Sequence, residues 1–139
     1  MAEEAAEQSV SGVTYEIFVA SFQDSNGDGV GDLQGVIQRL DYLRDLGVSR
    51  VWLMPIHPSF SYHKYDVTDY LSVDPQYGTL DDFDALVSSC ESVGIGVTLD
   101  LVVNHTSSEH PWFKEACAAL AAGTNSPYID WYNFTREAG

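Results

Sequence analysis

The sequence predicts an α/β fold in which parallel strands alternate with covering helices, and three observations carry that reading. First, the segments TYEIFVASF (14–22), RVWLMPI (50–56) and GVTLDLVV (96–103) are short and rich in β-branched or aromatic residues. Each ends in a polar or proline-containing loop, as buried strands do. Second, the stretches between them repeat apolar residues at helical spacing, giving strand, helix, strand, helix, strand and hence right-handed crossovers in a parallel sheet. Third, the loops are lopsided. Helix-to-strand connections are as short as 47–49 and 94–95, whereas one strand-to-helix connection runs through 55–79. Long loops after the C-terminal ends of parallel strands are where such folds keep their chemistry.

The first helix is read from Leu33, Val36, Ile37, Leu40, Leu43 and Leu46, with Gly47 where a C-terminal cap belongs. The second is read from Leu80, Phe83, Leu86, Val87, Cys90 and Val93, with Thr79 as N-cap and Gly94 as the stop. After VVNH the alternation ceases. An amphipathic stretch with Trp and Phe follows at 111–122, then the turn-rich, aromatic AGTNSPYIDWYNFTREAG. Residues 1–13 are acidic and Ala-rich, lack the basic start and apolar middle of a signal peptide, and are expected to be a disordered leader.

Composition narrows the function. The 139 residues suffice for one modest core, and 21 acidic against 6 basic residues give a formal charge of −15. A nucleic-acid partner needs a basic face that this chain does not supply, and binding to an anionic membrane surface is disfavoured for the same reason. No apolar run approaches the roughly 18 residues of a membrane span. Cys90 and Cys117 fall on different predicted helices and form no metal-type pair; they read as buried free thiols, with a disulfide as the alternative. The compartment stays open, the extracellular side being favoured slightly.

Between the first strand and first helix lies DSNGDGVGDL. Asp24, Asn26, Asp28, the Val30 carbonyl and Asp32 present oxygens at alternating positions, with Gly27, Gly29 and Gly31 permitting a tight path. Hard cations such as Ca²⁺ take six to eight oxygens, and D-x-N-x-D-G is the first half of a calcium loop. An EF-hand would place a bidentate Glu at the twelfth position, where this chain has Gly35, and would have a helix rather than a strand in front. The expectation is a calcium-type loop in a strand-to-helix connection. Crowded carboxylates repel one another unless a cation neutralises them; the alternative is a solvated Asn/Gly turn.

DLVVNH places Asp100, Asn104 and His105 at the end of the third strand, where a buried Asp100 is costly unless paired or hydrogen-bonded. The second long loop carries SYHKYDVTDYLSVDPQYGT, in which Tyr62, Tyr65, Tyr70 and Tyr77 stand among His63, Asp66 and Asp69. Flat faces with hydrogen-bonding tips suit sugar rings, which have apolar C–H faces and hydroxyl edges. Ordinary loop packing is the bland alternative. His57, His63, His105 and His110 lack HExxH spacing and do not read as a zinc site.

DSNGDGVGDLQG after the first strand, YHKYDVTDY after the second and DLVVNH ending the third occur in one order on matching elements. Together they resemble the α-amylase family (glycoside hydrolase family 13), with the likeness running from about Tyr15 to Phe113. The resemblance implies that residues 14–105 are the first three strand–helix units of a (β/α)8 TIM barrel and that 106–139 begin the domain inserted after strand three. It implies one calcium on Asp24, Asn26, Asp28, the Val30 carbonyl and Asp32, and a role for Asn104 like that of the residue binding a second calcium. Tyr65 would stack on the sugar at the cleaved position with His63 beside it, His105 would hydrogen-bond that sugar, and Asp100 would support the catalytic centre. The family's nucleophile, Glu acid/base and third carboxylate lie on later strands, so no catalytic carboxylate is expected here. The chain is accordingly expected to be an N-terminal fragment of a retaining enzyme acting on α-glucan or malto-oligosaccharide, and inactive alone. YHKY is more like endo-acting amylases; an exo-acting α-glucosidase or transglycosylase is the runner-up, and a stand-alone calcium- or carbohydrate-binding module is the alternative from another class. Lys64 replaces the glycine often found before the stacking tyrosine, and Ala20 stands where many relatives carry a bulkier or basic residue.

Overall fold

The computed structural model describes residues 12–135. The expected leader therefore lies outside the described residues except at its end, where Val13 already belongs to a strand. The described residues form two compact units, one of residues 12–54 with 76–100 and the other of 55–75 with 101–135.

The first unit contains β1 (Val13–Ile17), α1 (Leu33–Gln38), α2 (Leu40–Asp45), β2 (Val48–Leu53), α3 (Leu80–Ser92) and β3 (Gly96–Leu99). The strands are parallel in the order β1-β2-β3, as crossover helices require. Register aligns Tyr15 with Val51 and Val51 with Val97, and Ile17 with Leu53 and Leu53 with Leu99. Ile17, Val51 and Leu53 are fully buried, together with Leu33, Val36 and Leu43 of the first two helices and Leu86 and Cys90 of α3. This is the core the helical spacing promised. Both thiols are free: Cys90 is buried, and desolvation pushes its pKa up to about 11, whereas Cys117 is only partly covered.

The strands and the first helix depart from expectation at their ends. The first strand stops at Ile17 instead of reaching residue 22, because Val19–Ser21 forms a 3₁₀ turn and Ala20 instead accepts from the Gly31 amide at 2.8 Å. The third strand stops at Leu99 instead of 103. Its partner β2 ends at Leu53, and the last bond of the ladder is Asp100 N–H to the Leu53 carbonyl at 3.2 Å. The single helix expected over 33–46 is two, broken at Arg39 (φ −107°, ψ 10°), whose N–H turns back to the Val36 carbonyl. Leu46, read as a core position, is 52% exposed. The helix stops do match: Gly47 and Gly94 have φ of 75° and 76°.

Gly35 explains how α1 meets the loop before it. A Cβ there would stand 1.8 Å from the Gln23 carbonyl oxygen, so only glycine admits the close approach.

The second unit consists of the long loop 55–75, the segment after Asp100, and α4 (Pro111–Ala122) followed by a 3₁₀ turn at Ile129–Trp131. Ser59 and Val67 form an antiparallel bridge, and the Ser107 amide donates to the Val67 carbonyl at 2.9 Å. Ile56, Val67, Val73, Val102 and Ala116 are buried. Trp112 stacks on Tyr70 (6.0 Å, 15°) and on Tyr128 (6.0 Å, 22°) and meets Trp131 edge-on at 4.9 Å. Aromatic pairing thus replaces a sheet as the organising contact. Among the described residues no helix is long and apolar enough to cross a membrane.

Candidate functional site

The sugar-contact residues singled out in the sequence divide between the units. His63, Tyr65 and His105 belong to the second, as does Asn104, the expected second-calcium ligand; Asp100 follows β3 in the first, half-buried. Within the second unit the Tyr65 amide donates to Nδ1 of His63 at 3.1 Å, and the two rings are 5.9 Å apart. Nε2–H of His105 donates to the Tyr65 carbonyl at 3.0 Å. With Nε2 protonated, Nδ1 of His105 is free to accept from the Asn104 carboxamide at 3.4 Å, so the contacts agree on one tautomer. Two loops distant in sequence are thereby joined through the residues that flank the site.

The loop around Tyr65 is stiffened by Asp66, which accepts from the hydroxyls of Ser59 and Ser61 and from the Ser61 amide at 3.3 Å. Burial alone would raise the Asp66 pKa, but the two hydroxyls outweigh it and hold the carboxyl below its ordinary value. Asp69 is likewise held down, first by the Ser72 hydroxyl at 2.6 Å and then by the Leu71 amide at 2.8 Å. The Tyr70 hydroxyl lies 2.6 Å from the Val102 carbonyl and 3.0 Å from that of His105, and burial raises its pKa. It ties the third strand's tail to the loop from a position the sequence marks only as one tyrosine among several.

Beside His105 and Asn104 opens a cavity of about 350 Å³ walled by Tyr70, Trp112, Trp131 and Tyr132. The volume is that of small-ligand pockets, and its lining is apolar with a few polar tips. Trp131 and Tyr132 come from the turn-rich tail, whose aromatic content was visible in the sequence but whose return onto Thr106 (Tyr132 hydroxyl at 3.0 Å) was not.

The oxygen-rich loop belongs to the first unit. Asp24 accepts from the amides of Asn26 at 3.0 Å, Gly27 at 2.7 Å and Gly29 at 2.8 Å, which keeps its pKa low, Gly29 contributing most. Gly27 and Gly29 make this wrap possible with φ of 85° and 92°. Asn26 accepts from the Asp28 amide and Asp28 from the Val30 amide. Asp32, 5% exposed, caps α1 through the Gly35 amide at 2.6 Å and holds the Ser25 hydroxyl at 2.8 Å. Among the described residues no three His, Cys, Asp or Glu side chains gather as a metal cluster. The donor set is all oxygen, the chemistry of a hard cation, with the Asn26 carboxamide and Val30 carbonyl supplementing the carboxylates.

A parallel sheet whose strands alternate with helices and are followed by polar loops defines an α/β protein of the strand–helix–strand kind. The family model for the α-amylase catalytic domain matches residues 16–139, and the chain belongs to that family. It is 53% identical over 125 residues to α-amylase 3 of Dictyoglomus thermophilum, covering 90% of this chain and 24% of that protein. It is 51% identical over 123 residues to the trehalose-6-phosphate hydrolase of Escherichia coli, covering 88% and 21%. The crystal structure of the H. orenii α-amylase superposes with a TM-score of 0.84 at 51% identity, over 90% of this chain and 26% of that one. The chain thus spans about a quarter of the length of these relatives, and its sheet is part of their (β/α)8 barrel.

Proposed function

We propose that the chain serves an α-glucan-acting glycosidase of the retaining, α-amylase type, supplying sugar contacts and a cation loop while the bond-cleaving carboxylates come from elsewhere. Tyr65 is the stacking platform, His63 and His105 are hydrogen-bonding partners of the same sugar, and Asp100 supports the reacting centre. One observation carries the reading: the 3.0 Å bond from His105 to the Tyr65 carbonyl joins the tyrosine loop to the DLVVNH strand end. The identity to an α-amylase and to a trehalose-6-phosphate hydrolase supports an α-glucoside as the substrate class. Endo-action is the lead within that class, with exo-action or transglycosylation the runner-up.

The oxygen-rich loop is proposed to hold one Ca²⁺ through Asp24, Asn26, Asp28, the Val30 carbonyl and Asp32. Its all-oxygen donors and its ionised Asp24 support this. When bound, the ion would neutralise the loop's carboxylates. Asn104, exposed at the strand end, is proposed as a ligand of a second calcium.

Titration with maltotetraose, read by protein fluorescence, tests the sugar reading. Binding that Tyr65→Ala and His105→Ala each weaken is expected. No binding, or binding indifferent to both substitutions, would remove it.

A further inference from the structure

Lys64 combines two properties that are each unusual. It is the only non-glycine residue with positive φ among the described residues, at 64°. It is also 4% exposed, and its Nζ lies 2.7 Å from Oδ2 of Asp74, itself 5% exposed. A left-handed backbone favours glycine, whose lack of a Cβ removes the strain. A buried ammonium and a buried carboxylate both forfeit hydration, and a well-packed apolar pair would serve stability as well or better. Neither property is explained by holding the unit together.

Both are explained by where Lys64 sits. It is the single residue between His63 and Tyr65, and its left-handed turn lets the Tyr65 amide reach back to Nδ1 of His63 at 3.1 Å, with the rings 5.9 Å apart. The Lys64 amide donates to the Ser61 carbonyl at 3.3 Å, and the Asp74 amide to the Ile56 carbonyl at 2.8 Å. The side chain therefore runs from the tip of the 55–75 excursion to an anchor near its end. We propose that the Lys64–Asp74 pair is a buried clamp that fixes the left-handed turn and so positions His63 and Tyr65 against the sugar. Lys64 and Asp74 are positioning residues of the substrate site, a statement that rests on the sugar-binding reading above for its functional half. A glycine at this position allows the turn; the lysine enforces it.

The experiment uses the full protein chain and reads two things: the His63 ring and Tyr65 amide resonances by NMR, and affinity for maltotetraose. Lys64→Gly keeps the backbone conformation accessible but removes the anchor. Lys64→Met with Asp74→Leu removes both charges, so that no lone buried carboxylate remains to unfold the unit. Each variant is expected to melt cooperatively, to lose hydrogen-exchange protection at the Tyr65 amide, to shift the His63 ring, and to bind maltotetraose about tenfold more weakly, equivalent to one lost aromatic contact. Lys64→Arg, which restores a cation, is expected to recover part of that loss. Unchanged His63 and Tyr65 resonances in a folded variant would overturn the clamp. Failure of both charge-removing variants to fold would overturn it too, by making the pair a general support. Displaced resonances without any sugar binding by the unaltered chain would leave the clamp standing and bring down the sugar reading alone.

Discussion

At the scale of single residues, His110 ties structure to pH. Its Nδ1 accepts from the Trp112 amide at 3.2 Å and so caps α4, while the buried Nε2 has no hydrogen-bond partner among the described residues. Burial lowers its pKa below the ordinary imidazole value, against the pull of Asp69. Because the unfolded chain then takes up the proton first, stability is fully present above about pH 6.5 and drains away as pH falls below it. Melting temperature is expected to drop between pH 7 and pH 5. In His110→Asn, which keeps a capping oxygen and loses the titration, that slope should flatten. Asp66 and Asp69, with lowered pKa values, act in the same direction but in a separate window, below about pH 4. An undiminished slope in His110→Asn would assign the effect to other groups. Lys64 is the opposite case for a sequence reader. A lysine between His and Tyr does not itself announce a positive φ; the one hint is the glycine often found there in the family it resembles, and the buried Asp74 that holds the turn is ten positions away.

At the scale of elements, capped helix ends were legible and strand ends were not, for a physical reason. Caps are local chemistry. Thr79 takes the Asp82 amide at 3.2 Å and Asp82 returns to the Thr79 amide at 2.8 Å, a reciprocal box written within one turn of sequence. Thr79→Ala is expected to cost about 1 kcal/mol, seen as a lower denaturant midpoint at unchanged slope, and Thr79→Ser to restore most of it. A midpoint that does not move would mean that α3 is held by packing alone. Strand ends depend instead on a partner: GVTLDLVV has β-propensity to residue 103, but β2 stops offering bonds after Leu53. The break at Arg39 was hidden because Leu33, Val36, Leu40 and Leu43 keep one apolar face across it. The oxygen loop lies between these cases. Its alternation and glycines were visible and its Asx turns are present, yet those turns direct the side-chain oxygens to amides, and a cation has to compete for them. Calorimetric titration with Ca²⁺ decides it: uptake of one ion that Asp28→Ala abolishes is expected, and no uptake would make the loop a self-sufficient turn.

At the scale of the whole molecule, 21 acidic residues include a single carboxylate, Asp100, assigned to the proposed sugar site, and this leads to the prediction that the 139-residue chain hydrolyses no glycosidic bond. A retaining glycosidase needs an ionised nucleophile and a protonated acid about 5–5.5 Å apart, the acid with its pKa raised toward neutrality. Among the described residues the four aspartates with displaced pKa, Asp24, Asp66, Asp69 and Asp82, are all displaced downward, by amides, hydroxyls and carboxamides that favour the charge. Asp32 is spent on the α1 cap and Asp74 on Lys64. Asp100 is the one carboxylate assigned to the proposed sugar site, at the end of β3, and one carboxylate cannot perform both halves of a double displacement. On the proposed reading, the site residues hold a sugar without cutting it. Incubated with starch, the purified chain is expected to release no reducing ends while still binding maltotetraose through Tyr65. Release that survives purification and disappears in Asp100→Asn would show that the chain carries a complete catalytic apparatus, and the division proposed between holding and cutting would be wrong.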